Sequence, residues 1–325
     1  MAGFAFRPQP LRQTSPVSTS YRLVRLRNGA CSVHSLADDE TFHPGIGPVA
    51  EAEALYIRQL RLPERVRETK EAFVLWDVGL GAAANALTTL RLVGESLDTR
   101  KSLRLVSFDR TGDALAFALQ HSAELGYLAG FETSVTELLN KHSAKFSIGL
   151  LEVEWTLVLG DFPKIISGNS RGEEAHTKPE REPPHVGGHE LPAPHAILFD
   201  PHSPAKNPAM WTAPLFAALF RRLDPGRPCA LATFTRSTLA RAALLLGGFF
   251  VGAGRATGLK EETTVAGNQP ELLAEPLDRR WLDRARRSHS AEPLIGPVYR
   301  QEKLSAETWQ RLQQHPQFQS DFRRA

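Results

Sequence analysis

The stretch Phe73-Val74-Leu75-Trp76-Asp77-Val78-Gly79-Leu80-Gly81-Ala82-Ala83-Ala84-Asn85-Ala86-Leu87 decides the fold. Its first six residues form an apolar run of the buried-strand type, and a small-residue turn then opens into a helix. A glycine directly after a strand lets the backbone approach a ligand with no Cβ in the way. The helix offers free N–H groups in its first turn. A nucleotide or an adenosyl amino acid suits such a crevice; a tight strand-to-helix turn without a ligand carries the same signature. The third glycine of a dinucleotide fingerprint is missing, because Ala83 and Ala84 follow, and no Lys-Ser/Thr pair follows to make a phosphate-cradling loop.

Working outward, four more runs have strand character: Leu103 to Phe108, Trp155 to Leu159, Ala196 to Phe199 and Cys229 to Phe234. Helical patterns lie between them at residues 112–125, 213–222 and 238–246. Alternating β and α patterns with apolar strands predict an α/β fold, a doubly wound and mostly parallel sheet with helices on both faces. Ligands bind such sheets at the carboxyl ends of the strands. Three runs end there in an acid: Asp109, Asp161 after Gly160, and Asp200.

Tyr21 to Leu26 nearly alternates, Asn28-Gly29 is a hairpin turn signal, and Cys31 to Leu36 is the partner, so residues 21–47 read as a small N-terminal β extension. Residues 1–20 are Pro/Ser-rich and read as disordered. A helix is expected from Pro48 to Leu60, opening the main domain over residues 48–275. The segment 167–194 (SGNSRGEEAHTKPEREPPHVGGHELPAP) has no apolar run and reads as a loop insertion. Residues 276–325 read as a helical, frayed tail.

Composition narrows the class. Two cysteines, Cys31 and Cys229, cannot make a disulfide framework in a chain of 325 residues. His34, His43 and His202 lack metal-ligand spacing, so no metal is expected. No apolar leader is apparent, and the longest apolar stretch, Leu239 to Gly254, is broken by Arg241 and four glycines. A cytoplasmic protein with no membrane partner is expected. A net charge of +3 leaves nucleic-acid binding to local patches. One candidate is Arg279, Arg280, Arg284, Arg286 and Arg287, which reads equally as a solvated helix face.

The residues that carry chemistry follow from this frame. Asp109, at the second strand's end, can accept from ribose hydroxyls or cap the next turn. Asp161 can accept from an adenine amino group or serve as a helix N-cap. Pro201, Pro204 and Pro208 stiffen the stretch Phe199 to Trp211 into a platform on which Asp200 and Lys206 face a substrate. In the structural alternative Trp211 packs and Lys206 is solvated. Gly258-Leu259-Lys260-Glu261-Glu262 is either a loop at the same edge or a charged turn.

These motifs resemble the bacterial tRNA 5-methylaminomethyl-2-thiouridine-forming methyltransferases, the MnmC methyltransferase-domain family. The matches are Asp77, Gly79, Gly81 and Asn85 in the first turn, then Asp109, then Gly160 and Asp161. The most specific match is Asp200, Pro204, Lys206, Asn207, Pro208, Met210 and Trp211, followed by Ala232 to Thr235 and Gly248-Phe249. The similarity spans residues 45 to 268. It implies a class I S-adenosylmethionine-dependent methyltransferase fold with S-adenosylmethionine as cofactor and tRNA as partner. The implied reaction puts a methyl on the exocyclic amine of an aminomethyl-uridine at the wobble position. Asp77, Gly79, Gly81, Asn85, Asp109 and Asp161 are the implied cofactor residues. Asp200 and Lys206 are implied as catalytic, Lys206 alternatively touching RNA phosphate or bracing its loop. His202, Trp211 and Lys260 are the implied substrate contacts. Departures are Ala83, expected to be tolerated by a slight retreat of the helix, and Pro201-His202 in place of a Gly-Phe pair. The flavin-dependent oxidase domain fused to some members is not expected, because few residues follow Asn268. Rival readings are a methyltransferase of the same fold acting on a small molecule or protein, and an inactive RNA-binding relative.

Overall fold

Residues 20–168, 191–256 and 261–319 are described by the computed structural model of the chain. Strands β1 (Tyr21–Arg25), β2 (Cys31–Ser35) and β3 (Glu40–Thr41) form a small antiparallel sheet, turned at Asn28-Gly29 with Gly29 at φ +87°. Helix α1 (Pro48–Ala52) runs straight into a π turn, Glu53–Ile57, marked by the Arg58 N–H donating to Glu53 five residues back. Helix α2 (Leu62–Glu68) leads to β4 (Phe73–Val78), α3 (Ala84–Ser96), β5 (Lys101–Asp109), α4 (Asp113–Gln120), α5 (Ser122–Leu125) and α6 (Glu132–Lys141). Then come β6 (Ser143–Ile148), β7 (Leu151–Leu159), α7 (Phe162–Ser167), β8 (Ala196–Phe199) and α8 (Ala213–Arg221). Strand β9 (Ala230–Thr233), α9 (Thr238–Leu246), β10 (Phe250–Gly254), β11 (Thr263–Gly267), α10 (Arg279–Arg287) and α11 (Ala306–Gln314) complete the order.

The main sheet runs β10-β11-β9-β8-β4-β5-β7-β6. The five strands from β9 to β7 are parallel, whereas β11 and β6 are antiparallel to their neighbours. Alternation along β4 explains the two cores. Phe73 and Leu75 face one side with Leu87, Leu90, Leu115 and Leu138, while Val74, Trp76 and Val78 face the other with Phe216, Leu219, Leu244 and Trp281. Trp76, Trp155 and Trp211 are fully buried, and truncating any one of these rings would cost about 3–5 kcal/mol.

Three expectations change. Strand β6 was not foreseen; it hairpins onto β7, which starts at Leu151 rather than Trp155. The predicted helix 48–60 changes pitch at the π turn. As far as Gln319 the C-terminal segment is no frayed tail: Trp281, Leu282, Leu312 and Phe318 are buried in the second core. Residues 1–19, most of the 167–194 insertion and Lys260 lie outside the described residues.

Candidate active site

The order of strands reverses at β4, with β5 on one side and β8 on the other, and a crevice is expected at their carboxyl ends. Gly79 stands at φ +89°, and a Cβ there would lie 2.6 Å from the Asp200 carbonyl oxygen. The turn after β4 and the loop after β8 therefore touch through backbone alone. The Asp200 N–H donates to Val78 O at 2.8 Å, closing that contact. Gly81, at φ +52°, donates its N–H to Asp109 Oδ2 at 2.8 Å, and Arg110 N–H donates to Asp109 Oδ1 at 2.7 Å. Ala83 holds left-handed backbone (φ +61°) while fully buried, a conformation that costs a non-glycine residue about 1–2 kcal/mol. Tyr127 Oη supports the turn by donating to Ala82 O at 2.9 Å.

Asp77 is completely buried. One oxygen accepts from Ser107 Oγ at 3.0 Å, which in turn accepts from Trp155 Nε1 at 2.9 Å. The other, Oδ1, is buried with no hydrogen-bond partner among the described residues, as is Asn85 Oδ1. Burial raises the Asp77 carboxyl to about 7 against the pull of Ser107, with Asp200 and Asp109 adding repulsion. Burial also raises the Asp109 carboxyl, opposed by the backbone N–H groups it accepts from. Orphaned buried acceptors are costly when left unmade. A ligand bearing an ammonium group would satisfy Asp77 and relieve its desolvation, and Asp109 keeps lone pairs for hydroxyls. The donor set thus fits an adenosyl amino acid.

Asn85 does not stand with this group alone. Its Nδ2 donates to Asp200 Oδ2 at 2.6 Å, tying the first helical turn of α3 to the β8 loop. Asp161 caps α7, accepting from Lys164 N–H at 3.1 Å, which is the structural alternative read from the sequence; its second oxygen is not used by that cap. Trp211 is fully buried, with its ring edge-on to Phe199 and Phe234 and its Nε1 donating to His202 O at 2.9 Å. It braces the loop and offers no face to a substrate, which corrects the contact role expected for it. Lys206 is exposed at the loop tip, with its backbone N–H on Ser203 O.

The residues that sequence reasoning missed come from the N-terminal sheet and the π turn. Phe42 approaches Gly81, where an added Cβ would be 3.2 Å from its ring, and its own ring lies 5.8 Å from His202. Ser32 Oγ and Val33 O hold the Phe42 backbone. Glu40 accepts from Ser203 N–H at 3.4 Å, and Asp38 faces His202 Nδ1 at 3.5 Å. The Pro201-His202 departure is thus absorbed against this sheet. His43, in left-handed backbone (φ +49°), places Nε2 3.9 Å from Asp200 Oδ2. Tyr56, on the π turn, is fully buried beside Asp200; burial first, then the Asp200 charge, holds its phenol well above the usual range. Tyr21 is pushed up to about 12 by burial and then by Asp109. Each of these residues lies far in sequence from the acid it approaches, so no local motif marks it.

The exposed arginines divide. Arg279 Nε donates to Phe318 O at 3.0 Å and Arg286 covers the Trp309 ring at 4.7 Å, whereas Arg280, Arg284 and Arg287 share one exposed face of α10. Among the described residues no helix is long and apolar enough to cross a membrane.

A family model described as S-adenosyl-L-methionine-dependent methyltransferase matches residues 190–269, from just ahead of β8 through β11. The chain is 26% identical over 250 residues to the tRNA 5-methylaminomethyl-2-thiouridine biosynthesis bifunctional protein MnmC of Stutzerimonas stutzeri, covering 74% of this chain and 34% of that protein. It is 28% identical over 267 residues to the same-named protein of Pseudomonas fluorescens, covering 79% of this chain and 36% of that protein. The chain therefore spans about a third of the length of these curated relatives. Among solved structures, MNMC2 from Aquifex aeolicus superposes with a TM-score of 0.59 at 20% identity, covering 91% of this chain and 84% of that one. The resemblance read from the sequence is borne out as a similarity: the chain is MnmC-like in sequence over about three quarters of its length and shares the methyltransferase fold of MNMC2.

Proposed function

We propose that this domain transfers a methyl group from S-adenosylmethionine to the exocyclic amine of 5-aminomethyl-2-thiouridine at the tRNA wobble position, in the cytoplasm. The observation that carries the reading is the Asn85–Asp200 contact at 2.6 Å, which joins the glycine turn to the family's most specific loop. It sets a carboxylate for the acceptor beside the buried acid suited to the cofactor.

When bound, the cofactor supplies a sulfonium methyl, and the chain's task is to position a neutral amine against it. Asp77 would hold the amino-acid end, Asp109 the ribose and Asp161 the adenine end, while the N–H groups of Gly79 and Gly81 donate to Phe108 O and Asp109 and shape the turn. An alkylammonium has no lone pair, so one proton must leave before attack. Asp200, fixed by Asn85, accepts that proton or orients the amine. Tyr56 and Phe42 keep water away from the carboxylates, which strengthens every charge interaction there. Lys206, Arg280, Arg284 and Arg287 are the cations available for RNA phosphates, a role that makes binding fall steeply with salt.

The test is radiolabelled methyl transfer to total tRNA from cells lacking the native activity, run beside a cofactor-binding assay. Label in the wobble nucleoside is expected. Asp200→Asn should lower transfer about 10²–10⁴-fold with cofactor affinity little changed. Cofactor binding without tRNA labelling would move the acceptor to another class of molecule, and absence of both would leave an inactive module.

A further inference from the structure

His43 is held in an uncommon backbone conformation, at φ +49°, on the loop between β3 and α1. Its Nε2 faces Asp200 Oδ2 at 3.9 Å, with side-chain exposures of 10% and 16%, so a group entering from solvent can reach both. The pair is too far apart for a hydrogen bond of its own. Two acceptors 3.9 Å apart can, however, both be reached by one nitrogen about 2.9 Å from each. Asp200 Oδ2 accepts one hydrogen bond, from Asn85 Nδ2, and a carboxylate oxygen keeps a second lone pair for a ligand. No other hydrogen bond to the His43 ring is made among the described residues.

We infer that His43 is a specificity-determining residue that limits transfer to one methyl per amine, an inference that rests on the proposed function. The primary ammonium loses one proton to solvent through Asp200. The remaining two N–H groups donate to Asp200 and His43 Nε2, which turns the lone pair away from both and toward the methyl. The lone pair forms the new N–C bond, and the C–S bond breaks with its electron pair going to sulfur. The product leaves as a secondary ammonium with its two N–H groups still paired. A second transfer would need that product to lose another proton. The nitrogen would then carry one N–H and one methyl, and the methyl would point at one of the two acceptors. Leaving a mostly buried acceptor unpaired costs on the order of 10- to 100-fold in rate.

The experiment compares wild type with His43→Asn and His43→Gln. Asparagine tolerates the left-handed backbone but is too short to accept at the Nε2 position; glutamine places an acceptor there. Binding of two nucleoside probes, 5-aminomethyluridine and 5-methylaminomethyluridine, to the S-adenosylhomocysteine-loaded protein is measured by calorimetry, and products formed on tRNA are resolved by mass spectrometry. Wild type should prefer the primary-amine probe and make only the monomethyl nucleoside. His43→Asn should lose that preference and accumulate the dimethyl nucleoside to at least 10-fold above wild type, and His43→Gln should restore selectivity. A folded, cofactor-binding His43→Asn with unchanged probe preference and only monomethyl product would overturn the inference while leaving the proposed function intact. No binding of either probe by wild type would overturn it too. Wild type that binds the probes but labels no tRNA would overturn the proposed function alone, and the probe preference would still decide the role of His43.

Discussion

His43 and His195 are both mostly buried at opposite ends of the same sheet, and they are used in opposite ways. His195, at the amino ends of the strands, is fully committed: its Nδ1 accepts from Val74 N–H at 2.9 Å and its ring stacks on Phe73 at 4.7 Å. Burial, then the charges of Arg227 and Arg65, pushes its imidazole down to about 4, so it stays neutral at working pH. His43, at the carboxyl ends, spends backbone strain to face Asp200 without bonding it. At the lower end the orphaned atoms are guanidinium nitrogens, Arg65 Nη1 and Arg227 Nε, whose sister nitrogens bond backbone carbonyls; at the upper end they include acceptors, Asp77 Oδ1 and Asn85 Oδ1. A buried carboxylate oxygen left without a donor is the physical mark of a site, because its desolvation is costly until a ligand supplies the donor.

The sharpest way to break this contrast is at the contact that builds the upper end. Gly79→Ala forces a Cβ against the Asp200 backbone and holds an alanine at φ +89°. Displacing Asp200 by even about 1 Å should cost on the order of 10²-fold in methyl transfer, read by single-turnover kinetics on folded protein. Asp77→Asn tests whether the upper end is destabilised for the sake of its ligand. The Asp77 carboxyl titrates at about 7 in the folded chain against 3.8 ordinarily. As pH rises from about 4 to about 7 the unfolded chain gives up this proton and the folded one keeps it, so wild-type stability loses on the order of 4 kcal/mol across that window. Thermal unfolding should show the asparagine variant gaining on wild type across the window and levelling above pH 7, while its cofactor affinity falls. Equal melting profiles for the two proteins from pH 4 to 8 would mean that Asp77 is not desolvated as described.

The lower end makes the smallest and opposite prediction. His195→Ala removes the acceptor of Val74 N–H and a stacked ring, at about 2–3 kcal/mol of stability, with activity per folded molecule unchanged. Its titration also runs the other way. Below about 6.5 the unfolded histidine takes a proton that the folded one refuses until about 4, so this group costs stability as pH falls. Denaturant unfolding between pH 7 and 4 should therefore slope less in the alanine variant.

Particular residues show why some of this was readable. Strands β4, β8 and β9, and β5 from Leu105 to Phe108, are buried on both faces, which forces near-continuous apolar runs, and the acids of β4, β5 and the β8 end stand out against that background. Strand β6 escaped notice because it is an edge strand whose Ser143, Lys145 and Ser147 face outward. Helix α10 looked like a charged tail because only Trp281, Leu282 and Ala285 are buried, too few to declare a core helix from sequence. The π turn at Glu53–Ile57 has no compositional signature, and the placement of Tyr56 depends on it.

The sequence by itself determined the sheet, the glycine turn and the acids at the strand ends, because hydrophobic period, φ > 0 turns and strand-end positions are local properties. Only the tertiary structure decided which of those acids share a site and what surrounds them. It paired Asn85 with Asp200, moved Trp211 into the core, and brought Phe42 and His43 from a separate small sheet over the crevice. The Asn85–Asp200, His43–Asp200 and Phe42–His202 contacts each span more than a hundred residues of chain. They are set by how helices and sheets pack over the switch point, which no local pattern in the sequence encodes.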